Sequence, residues 1–453
     1  MSRASRAALT VCGATVLVVA EAGSASAHGL GGRLDLPVPR NVFIYGATLA
    51  LVVSFVLLSA LWKEPRFESG VKERVTPAQG LFGSRAIGWA VRIAALAFFL
   101  LVMMGALGGS RSRNIAPVVI WVWFWVGLAF IHALLGNWWA TLSPWDTLAR
   151  LLGIDEGRHP YPHRLGKWPA VAVLFVFVWT ELTAPWGPSA RPLGYMMVAY
   201  TLLTLAGMAL FGRKDWNENG EAFAVYLGLF ARIAPLARDG QSRVVTRAPL
   251  AGLAAVPPVP GLVAFVVVML GSTVFDGVSR LSFWSQRLDA RPQGYRLAAN
   301  SVGIVVVIML VWAVYELAIS VSASLAGAER SVLSVRFVHS LVPIAFAYVI
   351  AHYFSFLLIE GQQGLSAISD PFGLGWNLFG TATWHVNLNI VSVNTIWYVE
   401  VFAIVSGHVG GVILAHDRAV AMWEPKLAIR TQYAMLAVMV LFTTMGLFIL
   451  SGG

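Results

Sequence analysis

Long apolar runs, separated by short polar stretches, set the pattern of this chain. Runs near 40–62, 86–108, 115–135, 168–186, 193–211, 259–276, 299–325, 337–360, 395–416 and 431–451 approach the length that carries a helix across a bilayer, roughly 20 residues. The pattern predicts an all-α, polytopic transmembrane helix bundle of about ten spans. One further apolar stretch, 222–237, is ambiguous: it is short, contains Arg232 and Pro235, and is followed by Arg238, Arg243 and Arg247. If it crosses, every later loop changes side, and the 361–394 loop, which has no Lys or Arg, becomes cytoplasmic. If it lies flat on the cytoplasmic surface, the cytoplasmic loops carry 20 Lys/Arg and the outer segments nine. The second arrangement obeys the positive-inside rule better. A cytoplasmic interfacial helix, ten spans and both mature termini outside are therefore expected.

Composition agrees. The chain is 58% hydrophobic and 12% charged over 453 residues, more apolar surface than a soluble fold of this length needs. The net charge of +10 does not signal nucleic acid, because the basic residues are scattered through short loops and form no stripe. Residues 1–27 read as a cleaved signal peptide: Arg3 and Arg6, an apolar 7–20 stretch, then Ala25-Ser26-Ala27 as the cleavage site. The sole cysteine, Cys12, falls inside it, so the mature chain is expected to lack disulfides and thiolate ligands. The proline-rich 255–261 stretch separates a membrane half at 28–254 from a second at 255–453, each with five spans. No repeat relates the halves, and nearly all polar intramembrane residues fall in the second. The 361–394 loop is rich in Gly, Asn, Trp and Phe, and an ordered lid on the outer face is expected.

Ionisable groups in hydrocarbon are costly and persist where they pair, bind an ion or line a polar path. By position along their helices, His352, His408 and Glu316 lie deep, and Glu181, Asp276, Glu360 and Glu400 sit toward the outer mouth. Histidine with carboxylate and no thiolate suits a divalent metal such as Zn, Mn or Fe. The candidate ligands are His352, His408 and Asp276, with Glu360 or Glu400 as the base for a bound water. Gly407 and Gly411 flank His408 as a small-xxx-small patch, and Pro343 is expected to kink its helix and free the carbonyl of His339. His132 and His416 read as interfacial residues, and the tryptophans of 121–125 as a belt. A haem pair is disfavoured, since His339 and His352 are thirteen apart while His408 and His416 are eight apart.

Several of these segments carry a likeness. Ala27-His28-Gly29-Leu30-Gly31-Gly32, Phe275-Asp276-Gly277, Ala351-His352-Tyr353-Phe354-Ser355, Ser369-Asp370-Pro371 and Gly407-His408-Val409 with Ala415-His416-Asp417-Arg418-Ala419 resemble a family of bacterial multi-pass membrane proteins similar to the membrane-bound fenitrothion hydrolase. The resemblance covers most of the mature chain. It implies a protein of the bacterial cytoplasmic membrane that hydrolyses an apolar organophosphorus triester, with its site open to the outer face. A transporter or proton-coupled permease is the rival reading of the same His/Glu cluster. The expected partners are a small apolar substrate and the lipid bilayer.

Overall fold

The computed structural model of the protein describes residues 40–70, 73–76, 84–239 and 243–450. The signal-peptide reading of residues 1–27, with Cys12, lies outside the described residues. Nine helices among the described residues are long and apolar enough to cross a membrane. They comprise α1 (Arg40–Leu61), α2 (Arg85–Gly108), α3 (Ile115–Leu135), α5 (Ala190–Phe211), α8 (Leu262–Arg280), α9 (Gln293–Ala326), the Arg330–Ser369 span centred on α10 (Val342–Ile359), α11 (Val393–Met422) and α12 (Pro425–Leu450). The remaining expected span, α4 (Trp168–Leu182), is shorter at 15 residues.

Contacts between loops sort them to two ends of the bundle. At one end, strand β1 (Arg74–Val75) pairs antiparallel with β3 (Val244–Thr246), which also pairs with β2 (Leu236–Arg238). The Lys167 N–H donates to Pro260 O at 2.8 Å, and Arg418 donates to Ala254 O at 2.8 Å, so the loops around these residues gather at the same end. At the other end, Ser110 N–H donates to Phe372 O at 2.7 Å and the Trp121 indole to Gly187 O at 3.0 Å. No seam separates the halves, because α8 packs on α4 as well as on α9 and α10. Helix α1 packs on α11 and α12.

The 222–237 stretch does not cross, but it does not lie on the surface either. Helix α6 (Arg213–Asn219) folds back along α5, with Trp216 stacked on Phe211. Helix α7 (Ala222–Ala231) then returns to the starting end, where Arg232 donates to Gly252 O at 3.1 Å. Between them, Glu221 bonds Tyr200 at the middle of α5, and Tyr226 stacks on Trp125 at the middle of α3. The pair is a re-entrant hairpin. Eight of the ten α7 residues are buried, against α3, α4 and α10. A helix start within the hydrocarbon is tolerated only if protein satisfies its free N–H groups. Glu221 does so, accepting from Phe223 N–H at 2.9 Å and Ala224 N–H at 2.7 Å.

Two spans depart from regular α-helix. Val118–Gly127 of α3 is a π-helical run, and Val338–Leu341 forms a 3-10 turn ahead of α10. The break expected at Pro343 is therefore present, but the His339 carbonyl is not free: it accepts from the Val342 N–H. Glycines let α11 approach α10 closely. A Cβ at Gly407 would lie 2.7 Å from Pro343 O, and one at Gly411 would lie 2.8 Å from Ser340 O. Gly407→Ala is therefore expected to push the two helices apart and destabilise the protein by about 1–3 kcal/mol. A melting temperature equal to that of the wild type in detergent would refute this.

Candidate functional site

Two of the three expected ligands meet. Asp276 lies one turn before the end of α8 and His352 in the middle of α10, and Nε2 of His352 touches Oδ2 of Asp276 at 2.6 Å, off the in-line axis of a hydrogen bond. The same carboxylate accepts from the Tyr353 hydroxyl at 3.0 Å and from Arg280 Nε at 3.1 Å. Tyr353 also reaches Glu181 Oε1 at 3.4 Å, so one phenol bridges two carboxylates. The Arg280 guanidinium balances the charge of Asp276, which is how a carboxylate persists in a span. The His352 side chain keeps 15% of its surface exposed, so the imidazole edge is reachable. Arg280 carried a sequence signal that was not used, since a basic residue four positions after Asp276 falls on the same helix face.

The other candidates lie apart. His408 is fully buried; its Nδ1 bonds its own Ile404 carbonyl at 2.8 Å and its Nε2 has no partner. Glu360 bonds Gln363, and Glu400 makes no hydrogen bond or ion pair among the described residues. Glu316, expected near mid-depth, bonds Ser334 and pairs with Arg330 at 3.0 Å. Among the described residues no group of three His, Cys, Asp or Glu side chains is placed to hold a metal ion. The donors that do meet number two, and Arg280 already occupies the carboxylate that a cation would need. The site residues therefore fit an Asp–His pair better than the expected three-ligand metal centre.

Other buried polar groups are structural. His132 and His416, expected at the interface, are 0% and 1% exposed. His132 bonds Leu128 O and accepts from Trp139 N–H at 2.8 Å, fixing the corner after α3. His416 links Gln432 to the Trp62 carbonyl, and Asp417 accepts from the Trp62 indole and the Arg66, Phe67 and Glu68 N–H groups. The first half is less bare of polar groups than its sequence suggests: besides Glu221, Asp146 pairs with Arg92, Arg150 and Arg213 beyond the spans. Burial raises the Asp146 carboxyl, but Arg150 and Arg213 outweigh it and hold it below the usual value. A depressed carboxylate contributes stability that is present above its unfolded value of about 3.9 and lost as pH falls through the folded one.

The 361–394 loop is built from side chain to backbone bonds. Asp370 accepts from Leu374 and Gly375 N–H groups, Ser369 Oγ from Phe379 N–H, and Gln362 pairs with the backbone of Asn387. Trp376, Phe379 and Trp384 stay exposed on it, as suits a cap resting at a membrane interface. A large apolar cavity of about 610 Å³ lies elsewhere, in the first half, and neither Asp276 nor His352 lines it.

The fold defines a multi-pass membrane helix bundle carrying a buried Asp–His–Tyr cluster near one end. No protein-family model, curated protein or solved structure matches the chain. The likeness to the fenitrothion hydrolase family therefore rests on the motifs alone.

Proposed function

We propose that this protein is a hydrolase of the bacterial cytoplasmic membrane that cleaves an apolar organophosphorus triester of the fenitrothion type, with His352 as its general base. The observation that carries the reading is the Asp276–His352 contact. A carboxylate on one imidazole nitrogen orients the ring and stabilises the imidazolium that forms when the other nitrogen takes a proton. Water would lose that proton to Nδ1 of His352 as its oxygen bonds to phosphorus. The aryl P–O bond breaks, and the nitrophenolate leaves with the bonding pair. Tyr353 and Arg280 hold Asp276 in place. The exposed aromatics of the outer loop suit a substrate that partitions into lipid. The test is release of nitrophenol by the purified protein, with and without a chelator. No turnover above that of His352→Ala would overturn the reading.

The second reading, a proton-coupled permease, is favoured by the re-entrant hairpin and the unpartnered Glu400, both features of transport proteins. It predicts gradient-dependent flux in proteoliposomes and an unaltered substrate. The positive-inside rule supports reading the end bearing β1–β3 as the cytoplasmic one. An impermeant thiol reagent added to intact cells is accordingly expected to label a cysteine at Thr383 and not one at Lys214. The reverse pattern would invert the topology and close the site to the outer face.

A further inference from the structure

We propose that the 610 Å³ cavity of the first half binds one acyl chain of a membrane phospholipid, admitted sideways between α4 and α5. Its wall offers nothing to a polar ligand. The Trp123 indole donates to Gly361 O at 3.0 Å, that of Trp145 to Thr201 Oγ1 at 2.9 Å, that of Trp139 to Glu221 at 2.9 Å, and the Tyr200 hydroxyl is bonded to Glu221. Every polar group facing this space is already engaged by protein. Such apolar spaces stay dry and take up apolar molecules, and the volume falls in the range of real ligand sites, about 300–1,000 Å³.

Access is lateral. Helices α4 and α5 are consecutive and joined by a short turn, yet they part: α4 packs on α8 and α7, and α5 on α2 and α6. The rim of the gap is formed by Ala172 and Val176 of α4 and by Ala199 and Leu203 of α5, all exposed and uncharged. These positions sit along the middle of their helices, where the surrounding medium is hydrocarbon. The cavity follows α5 from Leu193 to Leu203, a run of about 15 Å at the helical rise. A long, narrow, dry slot opening onto lipid tails matches one extended chain. Because it rests only on the bilayer setting and this cavity, the inference stands or falls separately from the hydrolase reading.

The test uses the full chain in nanodiscs of phospholipid carrying a photoactivatable diazirine on one acyl chain. Illumination is expected to label cavity residues such as Phe98, Val173 and Met197 more strongly than the lipid-facing surface of α9. Ala172→Trp or Ala199→Trp, each at a lipid-exposed position, should close the slot and abolish that excess, whereas Val306→Trp on α9 should leave it intact. Unchanged elution of each variant on size exclusion keeps a folding defect from mimicking the result. Equal labelling of cavity and α9, or labelling indifferent to both blocking variants, would overturn the proposal. So would recovery of an isoprenoid or a quinone in place of phospholipid from the purified protein, or a cross-link joining two copies through the α4–α5 gap.

Discussion

His352→Ala is expected to lower triester hydrolysis by about 10²–10⁴-fold while leaving insertion and folding intact, the range a positioned base contributes. The imidazole keeps part of its surface exposed and touches Asp276, so its removal deletes the group that takes the proton of water without opening a fully buried cavity. Asp276→Asn should act in the same direction by a different route. It leaves the imidazole present but removes the charge that balances imidazolium, and it leaves Arg280 and Tyr353 one accepting oxygen in place of two. His408→Ala is the contrast, because its ring bonds its own helix and touches neither residue. Initial rates with a chromogenic triester separate the three variants. A His352→Ala enzyme as fast as the wild type, or a His408→Ala enzyme as slow as His352→Ala, would remove His352 from its assigned role.

The second large effect is on stability. Asp417 is 1% exposed, and its two oxygens accept four donors: the Trp62 indole at 2.9 Å and the N–H groups of Arg66, Phe67 and Glu68 at 2.6, 3.0 and 2.9 Å. Asp417→Ala leaves all four without an acceptor in a buried site, where each unsatisfied group costs about 1–3 kcal/mol. Relaxation of the loop recovers part of this, so a net loss of about 3–5 kcal/mol is expected, as for other broken buried charges. Asp417→Asn should lose less, since its amide oxygen still accepts from some of these donors while its NH2 opposes the rest. Thermal unfolding in detergent reads both. A wild-type midpoint for Asp417→Ala would show that water replaces the carboxylate at this loop.

The spans were legible because an apolar run of about 20 residues has few alternatives in a chain this hydrophobic. The hairpin was not legible. Ten apolar residues flanked by Glu221 and Arg232 look alike whether they lie on a membrane or dip into it, and only the partners Tyr200 and Trp139, distant in sequence, decide. Depth arithmetic put His352 and His408 deep and Asp276 toward the mouth, yet it is Asp276 that His352 meets. It says nothing of azimuth, however, and the His408 ring turns back onto its own backbone. The Asp417 clamp was hidden for a related reason: four donors from one loop seek a carboxylate some 350 positions later.

That packing of α1 has a consequence for biogenesis. Helix α1, made before the other described spans, packs on α11 and α12, and the loop behind it is tied to Asp417 and to strand β3. During synthesis α1 thus sits in the bilayer with no native neighbour until α11 and α12 have been inserted. Chains stalled before α11 would expose an unpaired first helix and an unclamped loop, features by which a membrane quality-control protease can tell an unfinished molecule from a complete one.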